Sequence, residues 1–149
     1  MKPRAGRIIA IDYGLARIGI AISDEQKIIA TTSMTLKAEK KTEDSAAKLV
    51  QELTKHATAN SYNIEELVVG MPLMMSGKHG MLADEVEHFV SLLKALIDTP
   101  IALWDERLSS VQADRSLREG NFSRKRRAKM VDSVAATIIL QSYLDRIKT

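Results

Sequence analysis

Between residues 7 and 36 three extended apolar runs follow one another with almost nothing between them: RIIAIDY at 7–13, RIGIAISD at 17–24 and KIIATTSMTL at 27–36. The first is rich in Ile, and the second alternates with Ile18, Ile20 and Ile22 on one face, the period of two expected of a strand. The links are only GLA and EQ. A parallel connection needs about a dozen residues or more, so the three runs are predicted to form an antiparallel meander.

Beyond residue 40 the period changes. Ala46, Leu49, Val50, Leu53 and Ala57 are spaced three and four apart, predicting a helix over about 41–60. ELVVG at 66–70 reads as a short buried strand stopped by Gly70 and Pro72. A loop with Gly77 and Gly80 leads to a second helix with the stripe Val86, Phe89, Val90, Leu93 and Leu96, and PIALWDER at 100–107 supplies a last strand. SSVQADRSLREG at 109–120 and SRKRRAKMVDSVAATIILQSYLDRI at 123–147 read as helices, the second with Ser123 as N-cap. The order βββαβαβαα, with right-handed crossovers, predicts an α/β fold: a mixed five-stranded sheet in the order 3-2-1-4-5, strand 2 antiparallel, with helices on both faces. A chain of 149 residues that is 45% hydrophobic suffices for one core, so a single domain over 1–149 is expected.

Composition closes off several classes. There is no Cys, and His56, His79 and His88 lack paired ligand spacing, which excludes a disulfide framework and a thiolate zinc site. No stretch approaches the roughly 18 apolar residues of a membrane span, and no signal peptide is read, so a cytoplasmic protein without a membrane role is expected. The net charge of +3 is unevenly placed: residues 1–100 carry 12 Lys+Arg against 13 Asp+Glu, and residues 101–149 carry 10 against 6. Much of that excess is the run RKRRAK at 124–129. Two readings stand for it, a polyanion partner and a solvated helix face.

The carboxylates point to chemistry. Asp12 ends the first strand, and the carboxyl ends of parallel strands are where open α/β sheets keep their sites. Asp105 or Glu106 stands at the same end of the last strand. Asp132 lies on the final helix with Ala128, Ala135 and Ala136 at i−4, i+3 and i+4, small residues that let the helix approach the sheet. Acids converging on one point repel, and a hard divalent cation with oxygen ligands, Mg²⁺ or Mn²⁺, is the usual reason to bring them together. Neighbouring strands are about 4.8 Å apart, so the longer Glu106 is preferred for reaching across the fourth strand, with Asp105 as the alternate. A local ion pair with Arg107 is the competing reading of WDER.

These residues also carry a resemblance. AIDYGLARIGIAISD, LVVGMPLMMSGKHG, LWDERLSS and KRRAKMVDSVAATIILQSYLD resemble, in order and over nearly the whole chain, the four motif blocks of the YqgF family, also called RuvX, in the RNase H-like superfamily that includes RuvC-like Holliday junction resolvases. The resemblance implies an RNase H-like fold, a metal-dependent nuclease and a role in maturing the 5′ end of the small-subunit ribosomal RNA precursor, with junction resolution as the older proposal. By motif position the family's acids fall on Asp12, Glu106 and Asp132. Where the family usually has Asn and Asp after GMPL this chain has Met74 or Met75 and Ser76, and it reads RLSS where Thr is commoner.

Phosphate contacts are expected from Arg17, Lys78, Arg107, Ser109, Arg124, Lys125, Arg126 and Arg127. Arg17 is read either as a phosphate contact near Asp12 or as a partner of Asp24. Cations at a helix start oppose the macrodipole, and a bound phosphate would offset that cost. Trp104 is read as core. The expected partner is nucleic acid, structured RNA before branched DNA, with ribosome-assembly partners in view and a monomer or homodimer as the assembly. The competing functions are a non-catalytic RNA-binding assembly factor and an actin-like ATPase, which needs two such domains. GMPLMMSGKH is no P-loop, because His79 follows Lys78 where Ser or Thr is required.

Overall fold

The computed structural model describes residues 5–73, 76, 79–108 and 124–147, the side chains of the last segment from residue 134 onward. The sequence period delivers its elements in the expected order: β1 (Ala5–Tyr13), β2 (Arg17–Ser23), β3 (Ala30–Lys37), α1 (Thr42–Ala59), β4 (Tyr62–Met71), α2 (Met81–Leu96), β5 (Ile101–Asp105), a 3-10 turn (Glu106–Leu108) and α3 (Arg124–Ile147). The sheet order is β3-β2-β1-β4-β5, as predicted. β2 runs antiparallel to β1 and β3, and β4 runs parallel to β1 and β5. The helix expected at 109–120 and the Ser123 cap lie outside the described residues.

Two boundaries differ from expectation for local reasons. β3 begins at Ala30 rather than at Lys27, because Asp24 Oδ1 accepts the backbone N–H groups of Ile28 and Ile29 at 2.7 and 3.1 Å, and Lys27 takes a φ of 59° to close the turn. β4 starts four residues early, at Tyr62, where it pairs with Ala5 of β1. At the bulge between Arg7 and Ile8, Ser23 Oγ accepts the Ile8 N–H at 2.9 Å and replaces a ladder bond.

The alternation along β1 divides the interior in two. Ile9, Ile11 and Tyr13 face α1 and α2, where Leu49, Leu53, Val86, Phe89 and Leu93 pack. Ile8 and Ala10 face α3, against Ala135, Ala136, Ile139, Leu140 and Leu144. Leu96, expected in the buried stripe of α2, is 50% exposed; the helix ends there, and Ile97 in the extended residue beyond packs on the core instead.

α3 lies back along the sheet. Ile139 meets Gly70 near the end of β4, whereas Tyr143 donates from its hydroxyl to Glu66 Oε1 at 2.6 Å at the middle of that strand, and Gln141 bonds Ala30 N–H and Ile28 C=O at the head of β3. Burying Ile139, Leu140 and Leu144 stabilises by roughly 1.5–3 kcal/mol each, against about 0.5–1.5 for a typical hydrogen bond. Apolar burial holds the helix, and the polar contacts fix its register. No helix among the described residues is long and apolar enough to cross a membrane.

All three tyrosines are pushed above the ordinary phenol value. Burial acts first at each, opposed at Tyr13 by a Thr42 hydrogen bond and at Tyr62 by Arg7; at Tyr143 burial and the Glu66 bond raise the pKa to about 12. The neutral hydroxyls therefore contribute stability that is complete below about pH 10, the unfolded value, and is lost as pH rises through the folded pKa values. An ultraviolet titration of the native protein should show less than half of the phenolate signal at about pH 10 and a normal midpoint only in denaturant; a native curve centred there would contradict these environments.

Candidate active site at the strand ends

Asp12 is the next-to-last residue of β1 and falls in the same alternation as Ile8 and Ala10, so its side chain belongs to the α3 face of the sheet. It is 2% exposed. Its partner on β2 is Gly19, and one step beyond the Ile11–Val69 pairing its neighbour on β4 is Gly70. A carboxylate at the end of an apolar strand thus stands between two residues without side chains.

Gly70 is also where the second acid arrives. β5 ends at Asp105, and Glu106 opens the 3-10 turn, 1% exposed. A Cβ built on Gly70 would lie 3.2 Å from Glu106 Oε1 and 2.6 Å from Ile139 Cδ1. The bare backbone of Gly70 therefore admits the Glu106 carboxylate and the α3 side chain together, beside Asp12. Sequence reasoning took Gly70 only as a strand terminator and passed over Gly19. The signal was present, since glycine inside a strand marks a close approach.

Asp105 is committed elsewhere. Its carboxylate accepts the Arg107 backbone N–H at 2.9 Å and the guanidinium at 2.7 and 3.1 Å, and those side-chain hydrogen bonds hold its pKa below the ordinary value. The local ion pair read in WDER exists, then, with Asp105 as its acid. Arg107, expected to contact phosphate, is held in that pair.

Asp132 lies on α3, seven residues before Ile139 and so roughly 10 Å further toward the C-terminal ends of the strands; its side chain lies outside the described residues. The same holds for the side chains of Arg124, Lys125, Arg126 and Arg127, which open α3, while Lys78, Ser109, Met74 and Met75 lie outside altogether. Arg17 starts β2 at the Asp12 end of the sheet, opposite Lys37. Asp24 follows the other end of β2, roughly 20 Å away, so the two do not pair. Trp104 is core, 7% exposed, with Tyr143 edge-on at 5.9 Å.

The donor set is two buried carboxylates flanking one glycine. Oxygen ligands of this hardness fit Mg²⁺ or Mn²⁺.

Adding a methyl at Gly70 should disturb packing and site together. Gly70→Ala is expected to lose about 1–3 kcal/mol through overpacking, read by urea unfolding. Ile139→Val removes the methyl nearest that new Cβ. The double variant should therefore lose less than the sum of the singles; strict additivity would show that the two residues do not meet.

A sequence profile of RuvX, described as a Holliday junction resolvase, matches residues 6–146. A protein of Protochlamydia amoebophila bearing the name "Putative pre-16S rRNA nuclease" is 55% identical over 97% of this chain and 96% of its own length. A Halothermothrix orenii protein of the same name is 41% identical over 93% and 94%. Among solved structures, Thermus thermophilus RuvC in complex with a Holliday junction substrate superposes with a TM-score of 0.56 at 12% identity, covering 95% of each chain. The fowlpox virus Holliday junction resolvase gives 0.53 at 15% identity over 94% of this chain and 99% of its own. At such identities the superpositions speak for the fold, which is the RNase H-like one, and the profile and the close relatives speak for descent: this chain belongs to the RuvX family.

Proposed function

We propose that the protein is a metal-dependent nuclease that hydrolyses phosphodiester bonds, its substrate the 5′ end of the small-subunit ribosomal RNA precursor. The observation that carries the reading is the burial of Asp12 and Glu106 on either side of Gly70. Two carboxylates buried at the same end of parallel strands offer the hard oxygen donors that a divalent cation takes. Asp12 and Glu106 would hold the ion, with Asp132 from α3 as the third acid. A bound Mg²⁺ or Mn²⁺ supplies Lewis acidity toward a phosphoryl oxygen and a water nucleophile at neutral pH.

The chain's own part is positioning. β1 and the turn after β5 fix the two acids on rigid elements, and the bare backbone of Gly70 lets Glu106 and Ile139 pack against the sheet beside them. The surrounding apolar side chains of α3 exclude bulk water and so strengthen every charge interaction at the strand ends. Arg124, Lys125, Arg126 and Arg127 at the start of α3, with Arg17 at the start of β2, are the cations to dock the nucleic-acid backbone. The names of the close relatives favour RNA. The description of the family profile favours a second reading, cleavage of a four-way DNA junction.

The test is cleavage of a labelled precursor-rRNA fragment and of a four-way DNA junction side by side, with Mg²⁺, with Mn²⁺ and with chelator. Asp12→Asn should reduce cleavage by more than the roughly 10–100-fold that losing an outer partner of a metal site costs, with nucleic-acid binding retained. Cutting of the junction in preference to the RNA would move the substrate to DNA. Salt-sensitive RNA binding without cutting, indifferent to metal, would replace the enzyme with an assembly factor.

A further inference from the structure

Gly80 precedes α2, and His79 just before it turns back on the first two turns of that helix. Asp84 and Glu87 are three residues apart and therefore share a helix face. His79 Nδ1 lies 3.8 Å from Asp84 Oδ1 and 3.6 Å from Glu87 Oε1, and the three ligand atoms all lie within 4.8 Å of one another. Both N···O separations exceed hydrogen-bonding range, so a direct hydrogen bond does not account for the convergence. Ligand atoms bound at about 2.0–2.1 Å to one tetrahedral ion stand about 3.4 Å apart, close to the two N···O separations of 3.6 and 3.8 Å.

We propose that His79, Asp84 and Glu87 form a second cation site, selective for a borderline transition-metal ion such as Zn²⁺. The donor chemistry separates it from the strand-end site. One imidazole nitrogen with two carboxylate oxygens suits Zn²⁺ or Co²⁺, whereas the all-oxygen pair Asp12 and Glu106 suits Mg²⁺ or Mn²⁺. Binding through Nδ1 leaves the proton on Nε2 and requires the neutral imidazole. Two carboxylates and a neutral histidine balance the two charges of a divalent ion, and water completes its coordination. All three side chains are exposed, so the ion enters without rearrangement. α2 packs on the face of the sheet that carries Ile9, Ile11 and Tyr13, opposite the face of Asp12. An ion here would tie the end of the β4–α2 connection to the helix that follows it, outside the proposed catalytic acids.

The experiment is calorimetric titration of the full-length protein with Zn²⁺ in excess Mg²⁺, which occupies the all-oxygen site. Co²⁺ serves as a spectroscopic substitute whose visible absorption reports nitrogen ligation. One Zn²⁺ per chain is expected, with Asp12→Asn leaving its affinity unchanged. His79→Ala and, independently, Glu87→Gln should each weaken it at least about 10-fold, as lost support of a metal site does. Both substitutions fall on exposed side chains, and circular dichroism checks that the fold is kept. No Zn²⁺ binding, binding indifferent to both substitutions, or binding lost with Asp12→Asn would each overturn the proposal.

Discussion

The contact between Ile139 of α3 and the bare backbone of Gly70 sets the separation of helix and sheet, and most of the functional architecture depends on it. Any side chain at position 70 would push α3 outward and displace the Glu106 carboxylate, since both occupy the volume a Cβ would claim. Ala135 and Ala136 continue the same close approach one turn earlier along the helix. The packing that seals one face of the sheet is therefore also the packing that brings a second acid beside Asp12.

Strand parity provides the other half of the arrangement. β1 sends Ile9, Ile11 and Tyr13 to one core and Ile8, Ala10 and Asp12 to the other. A slip of one residue would bury Asp12 under α1 and α2, among Phe89 and Leu93, on the face away from Glu106. Register is pinned from both sides, by the tight β1–β2 hairpin and by the long parallel pairing with β4. Asp12 on a strand and Glu106 in a turn remote from it in sequence thus come to the same end of the sheet.

Much of this was legible in the residues. Link lengths of two or three residues forced the meander, and alternating periods of two and of three to four ordered the rest. Asp12 at a strand end was visible because a carboxylate interrupts an apolar run. The choice between Asp105 and Glu106 was argued from reach, yet what commits Asp105 is its clasp on Arg107, a contact two residues apart that requires the chain to turn immediately after β5. The role of Gly70 was hidden because its significance lies in Ile139, 69 positions away. The start of β3 was missed for a similar reason: KII reads as strand until Asp24 claims the N–H groups of Ile28 and Ile29. Leu96 misled because the periodicity runs to the last residue of α2, where the helix ends and Ile97 packs on the core in its place.

Among the described residues α3 supplies the helical cover of one face of the sheet, yet it follows every other element in sequence. Its bonds reach back more than a hundred residues, from Gln141 to Ala30 and Ile28. During synthesis the sheet can form and pack against α1 and α2 while Ile8, Ala10, Ala21 and Val68 still wait for their cover. Asp12 is then open to water, and Glu106 has no lid of apolar side chains to hold it beside Gly70. A nascent chain is thereby a folded half-domain with one face of its sheet bare, and Asp12 and Glu106 are buried only when the helix that follows them has emerged and closed over them.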